Sequence, residues 1–191
     1  IPRTVSILLS GSSLALSGLI MQQMMQNKFV SPTTAGTMEW AKLGILLSLL
    51  FFPNGHILIK LLFAVVLSIV GTFLFVQLIN LIRAKDVIFV PLLGIMIGGI
   101  LSSFTTFVAL RTNALQSIGN WLTGNFAVIT SGRFEVLYLT IPLLILAFVF
   151  ANHFTIAGMG KDFSHNLGVS YEKIIKIALF ITATLTALVV V

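Results

Sequence analysis

The sequence predicts an all-α fold, a polytopic bundle of transmembrane helices, and two observations carry that prediction. First, 58% of the 191 residues are hydrophobic and 8% are charged, whereas an ordinary soluble domain is about a quarter charged. Second, six stretches approach the roughly 20 apolar residues that a spanning helix needs. Strand-like alternation between turn signals does not recur along the sequence. Lipid is therefore the predicted solvent for much of the surface.

The predicted spans follow one another with short polar connections between them. They are residues 5–25, 35–52, 61–82, 87–110, 136–154 and 174–191. Residues 112–129 are too short and too polar to cross, because Gly119, Gly124 and Asn125 interrupt their apolar pattern. We expect them to form a re-entrant or interfacial helix.

We treat residues 1–191 as one transmembrane domain. The chain opens at Ile1 without a methionine and closes at Val191 inside an apolar run. We therefore expect it to be the middle of a longer protein, truncated at both ends.

Basic residues predict the orientation, because loops rich in Lys and Arg face the cytoplasm. Alternating spans put one group on the predicted cytoplasmic side: Lys28, Arg83, Lys85, Lys161, Lys173 and Lys176. The smaller group faces outward: Arg3, Lys60, Arg111 and Arg133. The polar segment 158–170 is then cytoplasmic. The net charge of +6 suits an anionic membrane surface, and no basic run predicts nucleic-acid binding.

The sequence offers no group of residues suited to intramembrane catalysis. His56, His153 and His165 lack the H-E-x-x-H spacing of a zinc protease. Asp86 and Asp162 fall in loops, so they cannot form an aspartyl dyad within the membrane. Cysteine is absent, which excludes thiolate ligands and cysteine nucleophiles. We expect neither an enzyme nor a metal or cofactor site.

Glu39 and Lys42 lie inside the second predicted span. They are three residues apart, so they share a helix face and can pair. Ionisable groups in the bilayer are expensive and often functional, yet Lys near the membrane edge can extend to water. Two interpretations stay open, a structural pair and a role in gating or ion coupling.

Small residues recur one helical turn apart in two spans. The pairs are Gly11-xxx-Ala15 and Ser13-xxx-Ser17 in the first span and Gly94-xxx-Gly98-xxx-Ser102 in the fourth. Such spacing lets helices approach closely in lipid. It is also compatible with the wall of a substrate path.

Several short motifs complete the pattern. They are Ile1–Thr4 with Leu14–Gly18, Gln22 with Gln26–Pro32, Pro91–Ile95, Asn120–Gly124 and Gly160–Val169. In this order and spacing they resemble the FecCD-type permeases of bacterial iron–siderophore ABC importers, which are related to the vitamin B12 permease. Lys28 stands where that family has a proline. The stretch Ser31–Thr37 is most similar to permeases for petrobactin and anguibactin.

The resemblance implies a BtuC-like permease fold in the bacterial cell membrane. It implies a permease subunit that moves a ferric siderophore and is driven by a separate ATPase subunit. The further partners would be an extracytoplasmic siderophore-binding protein and a second permease subunit, identical or different. The alternatives are an ion-coupled secondary transporter that uses Glu39 and Lys42, and a membrane scaffold that transports nothing.

The resemblance also implies roles for single residues. The ATPase-coupling residues, with the i, i+4 pair Phe163 and Leu167 as apolar anchor, would be Asp162, Phe163, His165, Leu167 and Gly168. The alternative for this segment is a solvated connector. Arg3 would meet the binding protein. The cytoplasmic gate would comprise Asn27, Pro32, Arg83, Ala84, Lys85 and Asp86. The translocation path would include Gly94, Gly98, Ser102, Thr105 and Trp121.

Overall fold

The computed structural model describes residues 2–82, 88–114 and 134–191, and within these ranges the protein consists of helices and turns, without strands. The α-helices are α1 (Pro2–Met24), α2 (Thr37–Phe51), α3 (Ile57–Ile82), α4 (Phe89–Arg111), α5 (Thr140–Val149), α6 (Ala151–Gly158), α7 (Lys161–Asn166) and α8 (Tyr171–Val190). A 3-10 helix, Phe134–Leu139, leads into α5. The predicted all-α class is confirmed.

Within the described residues, α1, α3, α4 and α8 are each long and apolar enough to cross a membrane. A fifth candidate combines Phe134–Val149 with α6, but its two parts are bent by 56°. α2 has 15 residues, fewer than the roughly 20 that a full crossing needs.

Every predicted span differs from the observed helices at one or both ends, and two of these differences bear on the packing. The second was predicted over residues 35–52, but α2 begins at Thr37 because Gly36 adopts a left-handed conformation with φ 74°. The fifth was predicted as one helix over residues 136–154, and the structure divides it at Phe150. Pro142 lies in the first turn of α5, where its missing N–H costs nothing, so it does not cause the bend.

The predicted helix over residues 112–129 cannot begin at Thr112. α4 ends at Arg111, and Asn113 has a positive φ of 55°, which breaks the helical path. The amide of Ala114 donates to the carbonyl of Ala109 and closes the turn. The rest of that predicted helix, residues 115–129, lies outside the described residues.

α8 is the central helix, since 61% of its spanning window is buried within the protein. It packs against α1 and α3, and on its other sides against α2, α5 and α6. One apolar cluster joins α1, α5, α6 and α8 through Ile20, Met24, Ala147, Phe154, Ala157, Ile174, Ala178, Ile181 and Leu185. The bend at Phe150 therefore lets α6 bury Phe154 and Ala157 against the end of α1.

α2 and α3 form a tight antiparallel pair. A Cβ at Gly44 would lie 2.5 Å from the carbonyl oxygen of Phe63, so only glycine allows this approach. The indole ring of Trp40 packs directly on Gly71 of α3, where an added Cβ would overlap the ring. Two positions without side chains thus fix how closely these helices pack.

Candidate functional site

The candidate site lies at the end of the bundle where α1 stops. Two segments meet there, which we call the exit loop (residues 25–36) and the coupling segment (residues 158–170). The side-chain Nε2 of Gln26 donates a 3.0 Å hydrogen bond to the carbonyl of Gly158, 132 residues away. The two segments are therefore neighbours at one end of the bundle.

The coupling segment is shaped by two glycines. Gly160 and Gly168 have φ of 109° and 73°, a conformation that residues with a Cβ rarely adopt. They lie on either side of α7. Ser164 is buried and fastens α7 to the preceding helix, because its Oγ lies 3.2 Å from the carbonyl oxygen of Ile156 and 2.9 Å from that of Gly160. This short helix is thus held in one orientation.

α7 presents apolar side chains to the outside. Phe163 is 58% exposed, and Leu167, at the C-terminal cap of α7, is 60% exposed, although neither lies on a helix long and apolar enough to span a membrane. Asp162, His165 and Gly168 are exposed beside them. Lys161 and Glu172 form a fully surface-exposed ion pair of 3.8 Å, which contributes little to stability. The surface thus combines an apolar pair with charged neighbours.

The exit loop is closed by its own polar groups. Asn27 is 5% exposed, and its Oδ1 accepts a hydrogen bond of 3.0 Å from the amide of Phe29. The hydroxyl oxygens of Ser31 and Thr33 are 2.7 Å apart, and Pro32 between them is buried. The predicted gate residues Asn27 and Pro32 therefore lie inside this loop. Arg83, Ala84, Lys85 and Asp86 lie outside the described residues.

The small residues of α4 face the exit loop. A Cβ at Gly94 would overlap the carbonyl oxygen of Thr34, and a Cβ at Gly98 would lie 3.7 Å from Gly36. The close-packing interpretation accounts for both contacts. Thr105 is buried and donates to the carbonyl of Leu101 at 2.7 Å. Ser102 is half-buried, and the fifth predicted path residue, Trp121, lies outside the described residues.

Glu39 and Lys42 pair on the first turns of α2. The Nζ of Lys42 lies 3.2 Å from Oε2 and 3.4 Å from Oε1 of Glu39. The side chains of Lys42 and Glu39 are 20% and 23% exposed. The Cγ of Glu39 would be 3.5 Å from a Cβ at Gly98, so the pair lies beside α4. The structural interpretation of the pair fits this geometry.

The small residues of α1 divide into two faces. Ser13 and Ser17 are buried, and their Oγ atoms have no hydrogen-bond partner among the described residues. Gly11 and Ala15 face outward, and a Cβ at Gly11 would meet nothing within 4 Å. The serines therefore serve close packing inside the bundle. Arg3 is exposed in the first turn of α1, at the opposite end from the exit loop.

Sequence reasoning gave no role to Gln26 or Ser164. Gln26 belongs to a motif that carried the family resemblance, but its partner Gly158 is far away along the chain. Ser164 is the one buried residue of a polar helix, and its burial depends on the α6 carbonyl that it reaches. The sequence feature that could have drawn attention to Gln26 is the group of glutamines at and just beyond the end of α1, namely Gln22, Gln23 and Gln26.

Comparison with known proteins identifies the family. The sequence profile of the FecCD transport family matches residues 1–191. The chain belongs to the FecCD transport family. The resemblance drawn from the motifs is thereby confirmed, and the family has a transport role. The chain is a membrane protein, in keeping with its long apolar helices.

Two relatives of this FecCD family chain are permease proteins of import or transport systems. It is 50% identical over 190 residues to the petrobactin import system permease protein YclN of Bacillus subtilis (strain 168), covering 100% of this chain and 60% of the relative. It is 35% identical over 191 residues to the ferric-anguibactin transport system permease protein FatD of Vibrio anguillarum (strain ATCC 68554 / 775), covering 100% of this chain and 61% of the relative. The chain thus spans about three fifths of the length of these relatives.

A solved structure has the same fold. It is described as an inward-facing conformation of a metal-chelate type ABC transporter, and it matches 99% of this FecCD family chain with a TM-score of 0.70 at 23% identity. The match covers 61% of that chain. At this identity the likeness concerns the fold alone. The relatives do not favour the alternative of an ion-coupled transporter that uses Glu39 and Lys42.

Proposed function

We propose that this chain forms part of the permease subunit of a bacterial ABC importer for a ferric siderophore. Its membership of a transport family and the names of its relatives support the proposal. The permease would lie in the cytoplasmic membrane, bind no nucleotide and catalyse no reaction. ATP would be hydrolysed on a separate subunit, and an extracytoplasmic binding protein would deliver the siderophore.

The coupling segment is the proposed docking site for the ATPase subunit. The single observation that carries this role is an exposed apolar pair, Phe163 on the short helix α7 and Leu167 at its C-terminal cap. An i, i+4 apolar pair on a helix fits a hydrophobic groove on a partner protein. The ring of exposed polar residues around the pair is typical of the rim of a protein–protein interface.

A pull-down of the ATPase subunit with the full-length permease tests the docking site. The variant Phe163→Ala with Leu167→Ala is expected to lose the ATPase while it still inserts in the membrane, because it removes only exposed side chains. The matched control is Ile100→Ala with Phe104→Ala on α4, an i, i+4 pair that is 69% and 54% exposed. Retention of the ATPase by the coupling-segment variant would refute the docking role.

Uptake of radiolabelled iron as petrobactin or anguibactin complexes tests the transport role. Cells that carry the full-length permease with its ATPase and binding protein are expected to accumulate iron, and ATP depletion is expected to stop the uptake. Uptake that survives ATP depletion but collapses with the proton gradient would instead support an ion-coupled transporter.

A further inference from the structure

Gln22, in the last turn of α1, and Gln26, two residues beyond its end, hold two different segments. Gln22 donates from Nε2 to the carbonyl of Lys28 in the exit loop at 2.8 Å. Gln26 donates from Nε2 to the carbonyl of Gly158, the first residue of the coupling segment, at 3.0 Å. One helix end is therefore tied through side-chain amides to both parts of the candidate site.

The backbone of Gln26 supports this arrangement. Its φ is +49°, a left-handed conformation that is uncommon for a residue other than glycine. This conformation follows the last turn of α1, where the amide of Asn27 returns to the carbonyl of Gln22 at 3.1 Å. The turn directs the side chain of Gln26 away from the exit loop and toward α6.

The position that Gln26 reaches is the junction between α6 and α7. Gly158 is the last residue of α6, and a Cβ at Gly160, which precedes α7, would lie 3.5 Å from the Nε2 of Gln26. The apolar cluster also joins α1 to α6 through Met24 and Phe154. Apolar contacts are non-directional, whereas a hydrogen bond is restricted in both distance and angle.

We propose that Gln26 is a positioning residue that transmits movement of the coupling segment to the exit loop. This inference rests on the proposed function, in which the ATPase subunit moves the coupling segment. When the α6–α7 junction moves, its hydrogen bond to Gln26 moves the Gln26 side chain with it. The backbone of Gln26 continues into Asn27 and the rest of the exit loop, where Gln22 is bonded to Lys28.

The test compares transport with ATP hydrolysis in proteoliposomes that contain the full-length permease, its ATPase, its binding protein and the ferric siderophore. Gln26→Glu keeps the shape but removes the donor. We expect it to retain the ATPase subunit and to hydrolyse ATP within about twofold of the unmodified protein. We expect siderophore transported per ATP to fall on the order of tenfold. Gln26→Lys restores a donor and is expected to recover most of the transport.

Gln23→Glu is the matched control, because it places the same charge on the same turn. The Oε1 of Gln23 lies over Gly158, where an added Cβ would overlap it. A glutamate at position 23 keeps an oxygen in that place. An unchanged ratio of transport to hydrolysis in Gln26→Glu would overturn the inference, and so would an equal loss in Gln23→Glu. If Gln26→Glu no longer assembles with the ATPase subunit and Gln26→Lys also fails to assemble, Gln26 has a merely structural role and the inference fails.

The proposed function is checked in the same vesicles before any variant is made. If the unmodified permease shows no ATP-dependent transport, the proposed function fails and the inference falls with it. If the unmodified permease transports and the Gln26 variants keep the same ratio, only the inference fails.

Discussion

The hydroxyl oxygens of Thr37 and Thr72 lie 2.9 Å apart across the interface of α2 and α3. Both residues are buried. Thr72 also donates to the carbonyl of Ser68 at 2.7 Å, and the Oγ of Ser68 reaches the carbonyl of Ala183 on α8 at 3.0 Å. A line of hydroxyl groups therefore connects three helices in the interior of the bundle.

Thr72→Val is expected to lower the free energy of unfolding by about 0.5–1 kcal/mol, because it leaves the Thr37 hydroxyl without its partner. Thr37→Val combined with Thr72→Val should cost less than the sum of the single changes. Unfolding in detergent micelles measures this double-mutant cycle. Thr106→Val is the control, since Thr106 bonds to the carbonyl of Ser102 within its own helix. Additive effects of the two changes would contradict the coupling.

Gly71→Ala is expected to destabilise the protein by about 1–3 kcal/mol, because the added Cβ overlaps the ring of Trp40 and forces it to move. Gly99→Ala on α4 is the control, since nothing lies within 4 Å of its Cβ position. That control should keep or raise stability, because alanine favours helices. Thermal unfolding of the two variants in one detergent compares them, and equal melting temperatures would contradict the packing argument.

Lys42→Met is expected to lower the free energy of unfolding by about 1–3 kcal/mol, because the largely buried carboxylate of Glu39 loses its cation. Glu39→Gln combined with Lys42→Met should recover most of this stability. Chemical unfolding in micelles measures both variants.

The same double variant separates the two interpretations of the pair. If Glu39 and Lys42 are structural, the stable double variant is expected to support siderophore uptake at the normal rate. A stable double variant without uptake would favour a role in gating or ion coupling.

Arg3→Glu is expected to weaken docking of the binding protein, because it replaces attraction by repulsion at the outer end of α1. A single exposed ion pair is worth about 0–1 kcal/mol, so Arg3→Gln should change the affinity only slightly. The effect of Arg3→Glu should grow at low salt, where screening is weaker. Titration of the binding protein against the permease at several ionic strengths measures it. Lys60→Glu is the charge-matched control, and equal effects would contradict a specific role for Arg3.

The long helices could be predicted from the sequence because lipid demands uninterrupted apolar stretches, which are a local property. The bend at Phe150 could not be predicted, because neither proline nor glycine stands there. It lets Phe154 and Ala157 join a cluster with Ile20 on α1, and that gain depends on residues far away along the chain. The all-α class thus follows from composition, while the path of α5 and α6 follows from tertiary packing.

The candidate site likewise combines features that follow from the local sequence with one that depends on the tertiary fold. The spacing of Phe163 and Leu167 predicted a shared helix face, but the structure ends α7 at Asn166 and places Leu167 at its cap, with both side chains exposed. The left-handed turns at Gly160 and Gly168 also follow from residue type. The hydrogen bond from Gln26 to Gly158 joins distant residues, so one sequence without its fold gives no sign of the pairing.

α2 contains 15 residues, which reach about 22 Å at 1.5 Å per residue, while the hydrocarbon layer of a bilayer is about 30 Å thick. The exit loop before α2 folds inward, with Pro32, Ala35 and Gly36 buried. Irregular backbone is stable at membrane depth where protein covers it. The covered backbone of the exit loop therefore supplies part of the membrane depth that α2 alone does not reach.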